Sequence, residues 1–209
     1  MQALEKHDMQ GLIVRGYGKL PAARYLLCRI ADAGAAKPWL ATLHTKVTPG
    51  DQSPDDQAMH VAFTSEGIRQ LNVPADVLAS FAREWLEGMT PSPRSYPLGD
   101  ENANDPAHWA WGGPNTDAVH LMLMCYAKDA ATLDQQCNNL RTEVTAAGIV
   151  VMHAMDTTGL PEEKEHFGFR DGVSQPIMKG LSRKDLKKNP VNAGEFVLGY
   201  PNAYDRYTR

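Results

Sequence analysis

The chain has 209 residues, 43% of them hydrophobic and 22% charged, with a formal net charge of −4. That length accommodates one large domain or two small ones around a sizeable core, and the slight acidity argues against nucleic acid or an anionic membrane as a partner. No apolar run approaches the ~20 residues of a membrane-spanning helix. Met1 to Asp8 are polar and mixed in charge, without a basic-then-apolar leader or twin arginines, so a cytoplasmic protein is expected. The 3 cysteines, Cys28, Cys125 and Cys137, have apolar neighbours and no CxxC spacing. Reduced, buried thiols are predicted, rather than a disulfide framework or a zinc site.

In chain order, residues 8 to 21 read as a glycine-rich opening arm. Ala22 to Ile30, with Tyr25, Leu26, Leu27, Cys28 and Ile30, predicts a buried first strand. A short helix is predicted over Ala35 to Leu43, and a loop over Thr45 to Gln57, where Pro49-Gly50 and Pro54 interrupt polar residues. Met59 to Phe63 predicts a second strand, followed by a helix capped by Thr64 or Ser65 that runs to about Leu71. Residues 72 to 118 form a long insertion. Ala75 to Leu86 has near-helical spacing of Val77, Leu78, Phe81, Trp85 and Leu86, and the rest is rich in Pro, Ser, Asn, Asp and Gly.

Val119 to Ala127 is the most apolar strand candidate. Asp129 caps a helix whose Leu133, Cys137, Leu140, Val144 and Ala147 share one face, with Gly148 at its end. Ile149 to Met155 predicts a fourth strand. Two strand-helix-strand units imply an α+β, ferredoxin-like fold (βαβ-βαβ): four antiparallel strands, helices on one face, and the insertion between strands 2 and 3. The division expected is residues 1–157 as this domain and 158–209 as a loop and linker. In the tail, Ser182 to Asn189 reads as one or two helical turns and Gly194 to Tyr200 as extended, with too little apolar material for a second core.

The most informative stretch is His166-Phe167-Gly168-Phe169-Arg170-Asp171-Gly172-Val173-Ser174-Gln175-Pro176. Two glycines bracket a lone carboxylate, and glycine serves where φ is positive or something approaches the backbone closely. Asp-Gly is also an ordinary turn pair that Asp171 would cap. With Met9 to Tyr17, Val61 to Thr64, Glu87-Gly88-Met89, Leu98-Gly99-Asp100, Trp109 and Gly194 to Pro201, this stretch resembles the dye-decolorizing peroxidases over nearly the whole chain.

The resemblance implies the N-terminal half of a haem peroxidase, with haem b as cofactor and hydrogen peroxide plus a bulky aromatic or dye donor as substrates. It makes Asp171 the acid/base near the iron, and places His166, Phe169, Gly172, Val173, Ser174 and Gln175 around the haem. A raised Asp171 pKa in an apolar pocket, with Phe167 and Phe169 as its dry setting, would suit proton return. His166 reads either as a propionate partner or as a solvent-facing turn residue. The axial histidine and a distal arginine are implied beyond Arg209, and Arg170 is not assigned that role. His60, His120 and His153 fall on predicted strands as core-edge or surface residues. Trp109, Trp111, Tyr200 and Tyr204 read as packing anchors rather than electron relays, and Met122 and Met124 as core filler. The rival reading is a haem-free ferredoxin-like interaction module with the insertion as its contact surface. A homo-oligomer is compatible with either.

Overall fold

The computed structural model describes residues 4–170, 172, 176–181 and 189–207. The elements are α1 (Gly11–Val14), β1 (Ala22–Ile30), α2 (Ala33–Ala41), β2 (Gln57–Phe63), α3 (Ser65–Gln70), α4 (Ala75–Leu78), α5 (Arg83–Glu87), α6 (Ser92–Leu98), β3 (Leu121–Ala127), α7 (Ala130–Ala146) and β4 (Ile149–Asp156). The strands pair in the order β2-β3-β1-β4 with every ladder antiparallel. This is the ferredoxin-like sheet expected from the sequence. β1 is central, and its adjacent Leu26, Leu27 and Cys28 are all almost fully buried. Continuous burial rather than alternation means that both faces of the sheet are covered there.

The two long connections explain the layering. Asp32 caps α2, its Oδ1 accepting from the Gly34 and Ala35 amides at 2.8 and 3.1 Å. The cap starts the helix two residues before the hydrophobic pattern suggested. Asp129 caps α7 by accepting from the Thr132 amide at 2.7 Å. Leu133, Cys137, Leu140 and Val144 of α7 are buried against the sheet. They join Leu26, Cys28, Ile30, Leu121, Leu123, Cys125 and Ile149 in one core. Gly148 ends this unit at φ +68°, and a Cβ there would meet the Asp32 Cβ at 2.8 Å. Only glycine satisfies both the left-handed turn and the close approach of the α2 cap.

Two expectations fail. Ala75 to Leu86 is not one helix: α4 stops at Leu78, and Ala82 is extended at φ −57°, ψ 137° before α5 begins. The Ser80 hydroxyl donates to the Val77 carbonyl at 2.7 Å, taking an acceptor that a continuing helix would use. The apolar spacing still acts, because Phe81 and Trp85 stack with centroids 4.5 Å apart across the break. Gly194 to Tyr200 is not extended either. A 3-10 turn at Ala193–Glu195 opens a series of turns, because the chain doubles back: a Cβ on Gly194 would lie 2.2 Å from the Tyr200 carbonyl oxygen.

The tail also contributes a small second cluster, Met9, Leu181, Ala193 and Tyr200. The Tyr200 hydroxyl accepts from the Glu5 amide at 3.0 Å and ties the tail to the opening arm. The helical turns suggested for Ser182 to Asn189 fall on residues 182–188, outside the described residues. Among the described residues, no helix is long and apolar enough to cross a membrane.

Candidate functional site

The glycine-bracketed turn follows β4 through a 3-10 turn at Pro161–Glu163. Lys164 and Arg170 form an isolated antiparallel bridge. Between them, the Glu165 amide donates to the Phe169 carbonyl at 2.7 Å and the Gly168 amide to the Glu165 carbonyl at 2.8 Å. Gly168 sits at φ +87° and Gly172 at φ +75°, with nothing within 4 Å of where either Cβ would stand. Both glycines therefore serve conformation, and among the described residues the space above them is open. Asp171, Val173, Ser174 and Gln175 lie outside the described residues.

Of the other residues assigned to this site, His166, Phe169 and Gly172 are all exposed. Phe167 is 91% and Phe169 77% exposed, so two large apolar rings flank the turn in solvent. They provide no dry setting within this chain. Among the described residues, no group of three His, Cys, Asp or Glu side chains stands ready for a metal ion.

The histidine assignments need correction. His153 is exposed as expected, but His60 is fully buried and His120 nearly so. His120 Nδ1 accepts from the Ile30 amide at 3.0 Å. His60 Nε2 lies 2.9 Å from the Tyr17 hydroxyl. The Tyr17 ring stacks on the His60 ring at 5.3 Å and lies 5.2 Å from that of Tyr126. The Tyr126 hydroxyl is 3.2 Å from that of Tyr25. Burial lowers the His60 pKa to about 4 and raises those of Tyr17 and Tyr126. His60 Nδ1 is buried without a partner. A lone histidine between Met59 and Val61 carries no sign in the sequence of which sheet face is covered. The cover is the arm, whose Tyr17 lies far from β2 in sequence.

Met124 is buried core filler, as expected. Trp109 is an anchor, its indole donating to the Asn104 carbonyl at 2.9 Å. Tyr200 is likewise buried, whereas Tyr204 is 82% exposed and anchors nothing by burial. A cavity of about 640 Å³ stands outside the site residues that the sequence singles out. It lies between the start of α3 and the insertion, with Phe63, Trp85, Leu86 and Met89 among its walls. None of the described residues of the glycine turn lines it.

No family model matches the chain. A dye-decolorizing peroxidase of Mycena epipterygia is 27% identical over 94% of this chain and 37% of that protein. One of Exidia glandulosa is 26% identical over 97% of this chain and 40% of that protein. In three dimensions, an ancestral D-type dye-decolorizing peroxidase superposes with a TM-score of 0.80 at 21% identity, over 100% of this chain and 47% of that one. The enzyme of Auricularia auricula-judae does so with a TM-score of 0.77 at 22% identity, over 99% and 45%. The chain spans about two-fifths of the length of the curated relatives it matches. In sequence and in fold, the chain is similar along nearly its whole length to somewhat less than half of a dye-decolorizing peroxidase.

Proposed function

We propose that this chain supplies the aspartate-bearing part of a dye-decolorizing-type haem peroxidase, which oxidises bulky aromatic donors at the expense of hydrogen peroxide. The observation that carries this is the similarity to dye-decolorizing peroxidases over more than nine-tenths of the chain. A related structure holds 2,6-dimethoxyphenol, which supports a phenolic donor class. The unpaired, buried cysteines support a reducing compartment and hence the cytoplasm. In this proposal residues 1–157 are the folded domain and 158–209 lead to the remaining half.

The described residues fit one side of a haem. Phe167 and Phe169 offer apolar rings, and open space above Gly168 and Gly172 admits a flat group close to the backbone. When bound, haem supplies the redox chemistry that peroxide drives. The Asp171 carboxylate takes the proton from one peroxide oxygen and returns it to the other. Covering the turn excludes water and lifts the Asp171 pKa toward the range where both transfers are quick. In this reading Val173, Ser174 and Gln175, which lie outside the described residues, would contact the haem, and His166 would meet a propionate.

The first test adds haemin to the chain alone and in the presence of the complementary half. A Soret band with defined ligation, appearing with that half, is expected. Free-haem absorption in both samples would favour the haem-free module. In the loaded assembly, Asp171→Asn keeps size and turn preference but removes the base. The rate of reaction with peroxide should fall by at least about 100-fold, at the low end of general acid–base contributions. An unchanged rate in the fully loaded variant would leave Asp171 as a turn residue.

A further inference from the structure

The cavity beside α3 is a feature that the peroxidase reading does not use. Its volume, about 640 Å³, falls in the range of small-molecule sites. Its walls are fixed by specific bonds. The Thr64 hydroxyl caps α3 by accepting from the Gly67 amide at 3.1 Å, and it donates to the Val119 carbonyl at 2.6 Å. The Ser65 hydroxyl donates to the Leu86 carbonyl of α5 at 3.0 Å. Arg69 reaches both ends of that link, at 3.1 Å from Ser65 Oγ and 3.2 Å from the Leu86 oxygen. On the insertion side, a Cβ on Gly113 would lie 2.1 Å from the Pro106 carbonyl oxygen, and the Thr116 hydroxyl donates to the Gly113 carbonyl at 2.9 Å. α3, α5 and the insertion are thus held in place without an occupant, which lowers the entropic cost of taking one in.

Two features of the lining select the same kind of ligand. The apolar walls, Phe63, Trp85, Leu86 and Met89, include an indole. Phe81, which does not line the cavity, stacks on Trp85 with centroids 4.5 Å apart and braces it. The ring face of an indole attracts cations. The charged residues of the lining are Glu66, Glu84 and Glu87, with no Lys, Arg or His among the described residues that line it. Glu66 is paired with Arg69 at 2.8 Å, and Glu87 with Arg83 and Arg94 at 2.6 and 2.8 Å. The side chain of Glu84, next to Trp85 on α5, makes no hydrogen bond or ion pair among the described residues. Its charge acts on Arg83, which Glu87 already holds. All three arginines stand outside the lining, so the carboxylates are the nearest charges to an occupant.

We propose that this cavity binds an aromatic cation, a ring system carrying one ammonium group. The rings pack against Phe63, Leu86 and Met89, and the ammonium lies between the Trp85 indole and the Glu84 carboxylate. Those two groups replace part of its hydration. A neutral aromatic of the same shape gains only the apolar contacts. An aromatic anion meets three carboxylates and is turned away. The site needs no haem and does not rest on the peroxidase reading.

The test titrates the whole chain, without haem, with three probes that share a naphthalene ring: naphthylmethylammonium, naphthylmethanol and naphthylacetate. Calorimetry near neutral pH reads their affinities. The ammonium should bind once per chain, about tenfold more tightly than the alcohol, and the acetate should not saturate. Added salt should weaken the ammonium and leave the alcohol unchanged. Glu84→Gln, at an exposed position, should bring the ammonium close to the affinity of the alcohol without moving the alcohol. Trp85→Leu keeps the wall apolar and should weaken both. The circular dichroism of each variant is checked first. Absence of saturable ammonium binding to the wild type, or acetate binding as tightly as ammonium, would overturn the proposal. So would a folded Glu84→Gln chain that keeps the full preference for the cation, or a folded Trp85→Leu chain with wild-type affinities.

Discussion

The two faces of the sheet come from the same four strands and have opposite chemistry. Under α7, Leu26, Ile30, Leu121, Leu123, Val144 and Ile149 make a dry core in which the thiols are the most polar side chains fully enclosed. On the other face, Ala58, His60, Met124 and Tyr126 meet Tyr17 from the opening arm, and the contact is made by rings and hydroxyls. The first face is covered by a 17-residue capped helix. The second is covered by irregular chain held through specific hydrogen bonds. Gln10 illustrates this: its side-chain amide donates to the Val61 carbonyl and accepts from the Val61 amide, both at 2.8 Å. One amide side chain stands in for a neighbouring strand and blocks the β2 edge. Dispersion and area hold the first face, and directional bonds hold the second.

The largest effect should come from the dry face. Leu123→Ala removes a fully buried side chain from the centre of β3. Such truncations cost about 2–5 kcal/mol because the cavity only partly collapses. Urea unfolding should show the loss as a lower midpoint at unchanged slope. A cost below about 1 kcal/mol would mean that this face is looser than its burial indicates.

The other face should respond to pH. His60 has its pKa lowered from 6.5 to about 4 by burial. The unfolded chain therefore binds a proton between those values that the folded chain refuses. Stability rises with pH wherever the unfolded state holds more protons. The His60 contribution is thus complete above about pH 6.5 and declines as the pH falls toward 4. At about 1.4 kcal/mol per pKa unit, the full swing is on the order of 3 kcal/mol. Urea unfolding from pH 4 to 8 should show this slope in the wild type. His60→Asn, which does not titrate here, should flatten it while leaving the Leu123→Ala penalty at neutral pH in place.

The two faces were unequally legible in the sequence. β1 runs over Ala22–Ile30 as read, and α7 has the Asp129 cap and Gly148 end as read. Capping and periodicity are local, and for the helical face the local signals agree with the final packing. The Tyr17-His60 contact joins residues 43 apart in sequence, and the Gln10-Val61 bonds join residues 51 apart. Nothing local announces such pairings. The glycine turn was legible as a motif, because Gly168 and Gly172 adopt the positive φ that their spacing implied. The exposure of Phe167 and Phe169 follows from the resemblance and not from the residues alone, since apolar rings in a sequence look the same whether their own domain or another covers them.

The smallest effect tests whether the faces are independent. Tyr17→Phe removes only the hydroxyl 2.9 Å from His60 Nε2. The ring stacking survives, but both imidazole nitrogens then lack a partner, since Nδ1 is already without one. Loss of one such bond should cost about 1 kcal/mol, rising toward 2 if no water replaces the hydroxyl. Combined with Leu123→Ala, the costs should add within about 0.5 kcal/mol, because the two side chains lie on opposite faces and share no partner. A larger coupling would mean that β3 shifts as a body when either face is weakened. The arm would then belong to the same cooperative unit as the helical core. Additivity would instead make the arm a separately unfolding cover, which hydrogen exchange at the Val61 amide should detect as opening below the global unfolding free energy.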